Sequence, residues 1–558
     1  MGAGTFADIV ASRAGDDAVG LRFEDRQWTW AEVVAESATR AAALTALVPP
    51  PEGRQVHVGV LLENVPDFVF WIGGGALAGA VVVGINASRS GAELAHDIRH
   101  ADVDLLVTEA RLAHLLEGGD HGVPAARVLD VDHPSYDEVL APYRGAPVPE
   151  RLPQPDDLAM LLFSSGSTGA PKAVVVSQGR LGRLTASLVG RARLRRDSVT
   201  YLCMPLFHGN AVMLNLAPAM HVGATVALTR RFSASAFAED VHRYGVTFVN
   251  YVGRALSYVL SRPEGPRDRT STLELAYGTE ASEADAARFS ERFGCEVMEG
   301  FGSSEGVFRI NRTPETPTGA LGLAVDVDVR VLDEATGVEC PRAVFDEVGR
   351  LLNPEAVGEI VAIGGAERFE GYYRNPEAMA DRVRGGDFWS GDLGYRDEQG
   401  WFWFAGRSSD WLRVDSENFA AAPVERLLAR VPGVLSAVVY AVPDPATGDQ
   451  VMCTLELEPG ASFDPAAFGA HLAAQPEMGA KWWPRLVRVT EAIPLTASNK
   501  VDKAPLRAAA WATEDPVHVR VGRTAEYVAL DAERRAALEA EFAAHDRQAL
   551  LPAQPTGR

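Results

Sequence analysis

Between His57 and Glu109 the chain reads HVGVLLEN, PDFVFWIGGGALAG, VVVGIN, GAELAHDIRHA and DLLVTE in succession. Short apolar runs alternate with longer stretches of helical character, and a strand that returns parallel to its predecessor needs such a crossover. The pattern predicts parallel sheets covered by helices, an α/β fold. It recurs downstream, with ATVALTRRF before SASAFAEDVHRYG and TFVNYVG before ALSYVLSRP, and no fixed-length repeat accompanies it. One segment, Phe68 to Asn86, is uncharged and close to the length that spans a bilayer. Its five glycines and its isolation in an otherwise mixed chain favour a buried helix, a tight turn and a core strand.

From about Leu321 to Ile363 the texture shifts to VDVDVRVLDEATGVEC and GEIVAIGG, which predicts a smaller antiparallel or barrel-like subdomain. After WFWFAGRSSDWLRV, the stretches AAPVERLLARVPGVLSAVVYAVPD and VMCTLELEPG read as helix, strand, turn, strand. A chain of 558 residues exceeds what one core supports, about 250–300 residues. The expected organisation is therefore a large N-terminal domain of stacked α/β sheets with a small β-barrel-like subdomain over 1–407, a small α+β domain over 408–518, and a tail over 519–558. The tail's Leu538 and Phe542 stand four apart amid charges, as on an amphipathic helix packed against the C-terminal domain.

Lys and Arg number 53 against 75 Asp and Glu, a net charge of -22, which argues against a broad basic surface for nucleic acid. An anionic ligand must then be held locally. Cys203, Cys295, Cys340 and Cys453 lie far apart without a CxxC pair, suggesting neither zinc nor a disulfide framework and favouring the reducing cytoplasm. The N-terminus lacks a basic start followed by an apolar core, and Phe6 breaks the myristoylation pattern. Export, lipidation and integral membrane insertion are not expected.

The stretch LLFSSGSTGAPKAVVV, Leu161 to Val176, points to the anion. Gly166 and Gly169 let backbone N–H groups turn inward, Ser164, Ser165, Ser167 and Thr168 add hydroxyl donors, and Lys172 supplies charge. That combination suits a polyphosphate. It is not the common P-loop, because Gly166 leads to Pro171, Lys172 and Ala173 rather than to Gly-Lys-Ser/Thr.

SSGSTGAPK resembles the phosphate loop of the adenylate-forming superfamily of acyl-CoA synthetases, synthetase adenylation domains and luciferases, and further motifs match in order from about residue 20 to 510. PLFHGN resembles the acyl-pocket motif, and AYGTEAS, with Gly278, Thr279 and Glu280, the strand beside the adenine. GFGSSEG, with Gly300, Phe301, Gly302, Ser303 and Ser304, resembles the motif whose acidic residue, here Glu305, serves a magnesium ion. SGDLGYRDEQGWFWFAGR places Asp392 and Arg407 at the ribose, and PLTASNKVDK makes Lys500 the catalytic lysine of a mobile C-terminal domain. The likeness is nearest to actinobacterial fatty-acyl-CoA synthetases and fatty-acid transport proteins, from GFGSSEGV, DWLRVDSENFAAAPVE and the DPVHVR tail. It implies ATP and Mg2+, with CoA where a thioester is formed, and a homodimer as in many relatives.

Adenylation sends an oxyanion against the α-phosphorus of ATP with pyrophosphate leaving, so charge must be neutralised on both the leaving group and the transition state. The loop with Thr168, Lys172 and a metal near Glu305 suits the first task, and Lys500 the second. For the acid, Phe207, His208, Tyr277, Gly278 and Gly302 are candidates. Asn250 and Tyr251 join them because strand ends in α/β sheets point into the ligand crevice.

The chain departs from the family at three places. Asp415-Ser416-Glu417-Asn418 stands where the family carries a glycine that lets pantetheine approach, the hinge falls at Ser409 and Asp410, and Asn499 precedes Lys500. Three readings stay open at this level. The first is a fatty or aryl acid:CoA ligase. The second passes the activated group to an amine or carrier protein, including an ATP-dependent diazotase of secondary metabolism that activates nitrite, with an aromatic amine walled by Phe207, Tyr251 and Tyr277. The third is a non-catalytic nucleotide-binding relative.

Overall fold

A computed structural model describes residues 4–164, 172–346, 351–407, 411–414, 417–446, 449–475, 478, 481–496 and 500–552. The chain divides into two compact units: Met1–Val307 with Glu367–Asp381, and Phe308–Ala366 with Arg382–Thr496 and Lys500–Arg558.

The first unit contains two sheets. One has the order Val128–Asp130, Leu105–Thr108, His57–Leu61, Val81–Gly84, Leu158–Ser164 and Lys172–Ser177. Its pairings are parallel until the last, an antiparallel hairpin. The other runs from Glu296–Gly302 through Leu275–Thr279, Phe248–Val252, Val199–Leu202 and Thr225–Leu228 to Val19–Phe23 and Arg26–Thr29. It too is parallel except at the final pair. One continuous core takes side chains from both sheets, such as Val58 and Val60 of the first and Tyr201, Val226 and Val249 of the second. This is the stacked α/β architecture that the alternating pattern predicts.

The uncharged segment resolves as expected into a helix, Pro66–Ala78, and the strand Val81–Gly84. Pro66 opens the helix, where a missing N–H costs nothing, and Gly79 closes it at φ 66°. Its glycine run permits close packing on two sides. A Cβ on Gly73 would overlap Ser37 Oγ of the helix Trp30–Leu47, and one on Gly75 would lie 2.5 Å from Val82 Cγ2 of the sheet. Among the described residues no helix is long and apolar enough to cross a membrane.

The second unit begins with antiparallel strands in the order Val329–Leu332, Gly358–Ala362, Asp387–Arg396, Phe402–Arg407, Ala320–Val325 and Arg309–Asn311. The strands expected as a subdomain of 1–407 thus cluster with the C-terminal residues. A ribbon, Trp411–Val414 with Glu417–Ala420, leads to a mixed sheet of Val434–Pro443, Asp449–Leu457, Leu486–Thr490, Val517–Arg520 and Tyr527–Ala529. Residue 518, the expected end of the α+β domain, lies inside the fourth of these strands. The tail helix Ala532–Ala544 starts at Asp531, whose carboxylate accepts the Arg534 N–H. It buries Leu538 and Phe542 in a cluster with Leu506, Trp511 and Val517.

Phe542 is fully buried, its ring centroid 5.7 Å from that of Trp511. Phe542→Ala is expected to destabilise the protein by about 3–5 kcal/mol, whereas the exposed neighbour Glu541→Ala stays within about 0.5 kcal/mol. Urea denaturation followed by tryptophan fluorescence checks both values.

Candidate active site

Ser164 and Lys172 end the hairpin strands as directly opposed residues. Ser165, Gly166, Ser167, Thr168 and Gly169, between them, lie outside the described residues. Lys172 is buried, only 6% exposed. A later segment docks along the outer edge of its strand: Val175 N–H donates to the Gly371 carbonyl at 3.0 Å, and Tyr373 N–H to the Ala173 carbonyl at 2.8 Å. Tyr372 therefore faces Val174 across the pairing. Residues two apart on a strand share a face, so Lys172 is Tyr372's diagonal neighbour, with Nζ 5.9 Å from the ring centroid.

Tyr372 also donates its hydroxyl hydrogen to Glu305 Oε1 at 2.6 Å. Two further side chains fix the surroundings. Glu370 accepts from the Ser177 N–H at 2.7 Å and the Ser177 hydroxyl at 2.6 Å. The Arg180 guanidinium donates to the carbonyls of Val175, at 2.8 Å, and Ser304, at 2.5 Å. It also fills the space beside Gly306, where φ is 60° and a Cβ would lie 2.6 Å from an Arg180 nitrogen. Burial pulls the Arg180 pKa below its ordinary value while the charges of Glu370 and Glu305 oppose the shift. Neither Arg180, Glu370 nor Tyr372 is singled out by the sequence.

Three adjacent parallel strands bring the next motifs together. Tyr251, Gly278 and Glu299 stand in register. The Tyr251 hydroxyl donates to Glu299 Oε1 at 3.0 Å, and the Ala281 N–H donates to the same oxygen at 2.7 Å. Glu299 thus ties the carboxyl ends of all three strands, the end at which open α/β sheets bind ligands. Thr279 accepts from Gly253 N–H at 3.0 Å, and Glu280 follows at φ 74°, a left-handed conformation seldom adopted by a side-chain-bearing residue. Gly300, Phe301 and Gly302 end the third strand, with Ser303 and Ser304 just beyond.

The rings of Phe207 and His208 pack at a tilt of 43° with centroids 4.5 Å apart, immediately before the short helix Gly209–Ala211. A π-helical turn, Val212–Leu216, follows; such turns are rare and concentrate at functional sites. Asn250 is fully buried, accepting from Asn215 Nδ2 at 2.7 Å and donating to Asn210. Asn215 in turn accepts the Thr200 hydroxyl at 2.7 Å. The Asn250 amide therefore ties the short helix after His208 to the strand Phe248–Val252. Tyr277 belongs elsewhere. It packs with Leu188, Ala192, Leu194, Phe248 and Leu275 and accepts from Arg191 at 3.2 Å. Its partner across the sheet is Asn250, whereas Tyr251 pairs with Gly278. The two tyrosines occupy opposite sheet faces, so the three-ring wall of Phe207, Tyr251 and Tyr277 does not form.

In the second unit Asp392 is directly opposed to Arg407 across an antiparallel ladder. Asp392 is 9% exposed, and its N–H donates to Ser390 Oγ at 3.1 Å. Gly391 N–H donates to Glu359, whose pKa burial raises. Lys500 lies in a turn closed by Thr496 N–H to the Lys500 carbonyl at 2.7 Å and Asp502 N–H to the Pro494 carbonyl at 2.9 Å. Ser409, Asp410, Ser416 and Asn499 lie outside the described residues. Among those described, no three His, Cys, Asp or Glu side chains gather as a metal site.

A Cβ on Gly278 would overlap the Tyr251 carbonyl oxygen and meet its ring at 2.6 Å. Gly278→Ala is therefore expected to part the two strands, cost about 1–3 kcal/mol of stability and weaken ATP binding. Thermal melting with and without ATP measures both effects.

The AMP-binding enzyme family profile matches residues 7–373, and that of the AMP-binding enzyme C-terminal domain matches 423–500. The chain is 49% identical over 550 residues to a steroid-22-oyl-CoA synthetase of Rhodococcus jostii, covering 98% of this chain and 99% of that protein. It is 43% identical to the medium/long-chain-fatty-acid–CoA ligase FadD17 of Mycobacterium tuberculosis, covering 92% and 98%. Among solved structures, the anthranilate CoA ligase AuaEII with anthranoyl-AMP aligns with a TM-score of 0.78 at 23% identity, over 91% of this chain and 97% of that one. ATP-bound MatB of Rhodopseudomonas palustris aligns with a TM-score of 0.74 at 23% identity, over 91% and 98%. These relatives favour thioester formation over the nitrite-activating alternative. The chain belongs to the AMP-binding enzymes, the adenylate-forming superfamily, within its acyl-CoA ligase branch.

Proposed function

We propose that this enzyme is an ATP-dependent carboxylic acid:CoA ligase whose acid is a steroid bearing a short side-chain carboxylate. The observation that carries the substrate class is the 49% identity, over 98% of the chain, to the steroid-22-oyl-CoA synthetase. The carboxylate attacks the α-phosphorus of ATP and pyrophosphate leaves. The CoA sulfur then attacks the acyl carbon of the adenylate, and AMP departs.

Each motif has a task in this scheme. Residues 164–169, including Thr168, and Lys172 bind the departing phosphates. Gly278, Thr279, Glu280 and residues 300–304 flank the adenine, and Asp392 and Arg407 hold the ribose. Phe207, His208, Tyr251 and Gly302 border the acid, while Asn250 fixes the short helix after His208. Glu305 offers a hard carboxylate beside Ser303 and Ser304. That donor set fits Mg2+, which binds through one or two carboxylates and takes its remaining ligands from substrate phosphates and water. Held there by Glu305, such an ion would supply positive charge to the departing pyrophosphate.

Lys500, delivered by residues 408–518 turning about Ser409 and Asp410, neutralises the α-phosphoryl transition state as a mobile point charge. Ser416 stands where the family carries a glycine, and a residue this small is compatible with the thioester step. The cytoplasm supplies the ATP and CoA this chemistry consumes.

AMP and thioester formation with ATP and Mg2+ test the proposal, using C22 steroid acids, medium and long fatty acids, aryl acids, and nitrite with an aryl amine, each with and without CoA. CoA-dependent turnover is expected to favour the steroid acid by about tenfold or more in kcat/KM, as a shaped apolar pocket discriminates. Equal or better turnover of fatty acids overturns the steroid assignment, and AMP release indifferent to CoA overturns the ligase. Lys500→Ala is expected to slow acid-dependent pyrophosphate exchange by about 10²–10³-fold, the scale for losing one transition-state contact. Near-normal exchange rejects its role.

A further inference from the structure

Tyr372 joins two groups that lie far apart in sequence. Its hydroxyl donates to Glu305 Oε1 at 2.6 Å, and its ring face lies 5.9 Å from Lys172 Nζ. It is 3% exposed, so neither contact is a solvent-side accident of a mobile side chain. Its backbone is fixed as well, because Gly371 and Tyr373 pair with the strand that begins at Lys172. That pairing fixes the backbone position from which the ring reaches Glu305.

A carboxylate has two acceptor oxygens, and a donor fixed on one of them sets the direction in which the other points. Hydrogen bonds of this kind, made to a ligating carboxylate by a residue that does not itself touch the ion, orient the ligand and tune its affinity. The aromatic face adds a second effect, since a cation over a ring is attracted to its negative centre. Pairing register and the ring face together hold Lys172 on the same side as Glu305. We propose that Tyr372 is a positioning residue for the divalent-cation and phosphate site, setting the Glu305 carboxylate through its hydroxyl and the Lys172 ammonium through its ring. This inference rests on the assignment of Mg2+ to Glu305 made above.

Tyr372→Phe removes the hydroxyl and keeps the ring, and Glu305→Gln reports on the metal assignment itself. Mn2+ binding to the complex of enzyme with α,β-methylene-ATP, read by electron paramagnetic resonance, measures cation affinity without turnover. The Mg2+ dependence of pyrophosphate exchange with the preferred acid provides a second readout.

Tyr372→Phe is expected to weaken Mn2+ binding by about 10–100-fold and to raise the half-saturating Mg2+ in parallel, with the rate at saturating Mg2+ largely retained. Tyr372→Leu adds a rise in KM for ATP through loss of the ring beside Lys172. If Glu305→Gln weakens Mn2+ binding and Tyr372→Phe leaves it unchanged, Tyr372 is a packing residue and the inference fails alone. If Glu305→Gln itself leaves Mn2+ affinity unchanged, the metal assignment fails and takes the inference with it.

Discussion

The strand Lys172–Ser177 pairs on one side with Leu158–Ser164 and on the other with Gly371–Tyr373, a segment about 200 residues further along. An open edge here would leave unpaired N–H and C=O groups along the strand that begins at Lys172. Closing so long a loop costs entropy that grows only slowly with length, and several directed contacts offset it. Glu370 takes both donors of Ser177, while Tyr373 and Arg374 reach Asp102 at 2.8 and 2.7 Å. These contacts also select the register. A slip by one residue would turn Tyr372 to the other face and break its bonds to Glu305 and Lys172 together.

The crevice wall is built from polar groups inside the protein, which is costly unless every member is satisfied. The chain from Thr200 through Asn215 and Asn250 to Asn210 meets that condition by linking two strands, a π-helical turn and the short helix after His208. Glu299 does the same for three strand ends. Arg180 holds the Ser304 carbonyl, and Tyr372 holds the carboxylate of the next residue, Glu305. Rigid polar backing of this kind lets donors be aimed before the substrate arrives, which is where electrostatic catalysis gains most.

Local periodicity made the fold legible. The runs from HVGVLLEN to DLLVTE become His57–Leu61, Pro66–Ala78, Val81–Gly84, Gly91–His100 and Leu105–Thr108 in the order read. Each depends on neighbours within a turn or two of chain, so the pattern carries the information. Tyr372 and Glu305 are 67 residues apart, and Arg180 and Ser304 are 124 apart. No short-range pattern encodes contacts at such separations. Tyr277 was misplaced for a related reason: sharing a sheet with Tyr251 does not fix a shared face, because cross-strand register decides which positions align. Glu299 had a readable signal, a carboxylate within a largely apolar strand just before GFGSSEG. A charge there needs partners, and the ends of the adjacent strands supply them.

The chain's net charge of -22 opposes the approach of ATP and CoA, both polyanions. At physiological ionic strength the Debye length is about 8 Å, so that opposition is screened beyond the nearest surface. At buried groups such as Lys172 the balance changes, because a charge in a low-dielectric surrounding interacts more strongly than in water. Lys172 is the one cation among the motif residues of the first unit, and Tyr372 holds it by an aromatic face. The hydroxyl of the same tyrosine binds the carboxylate of Glu305. One side chain thus meets a cation with its ring face and an anion with its hydroxyl, two contacts of opposite polarity that a single rigid phenol satisfies at once.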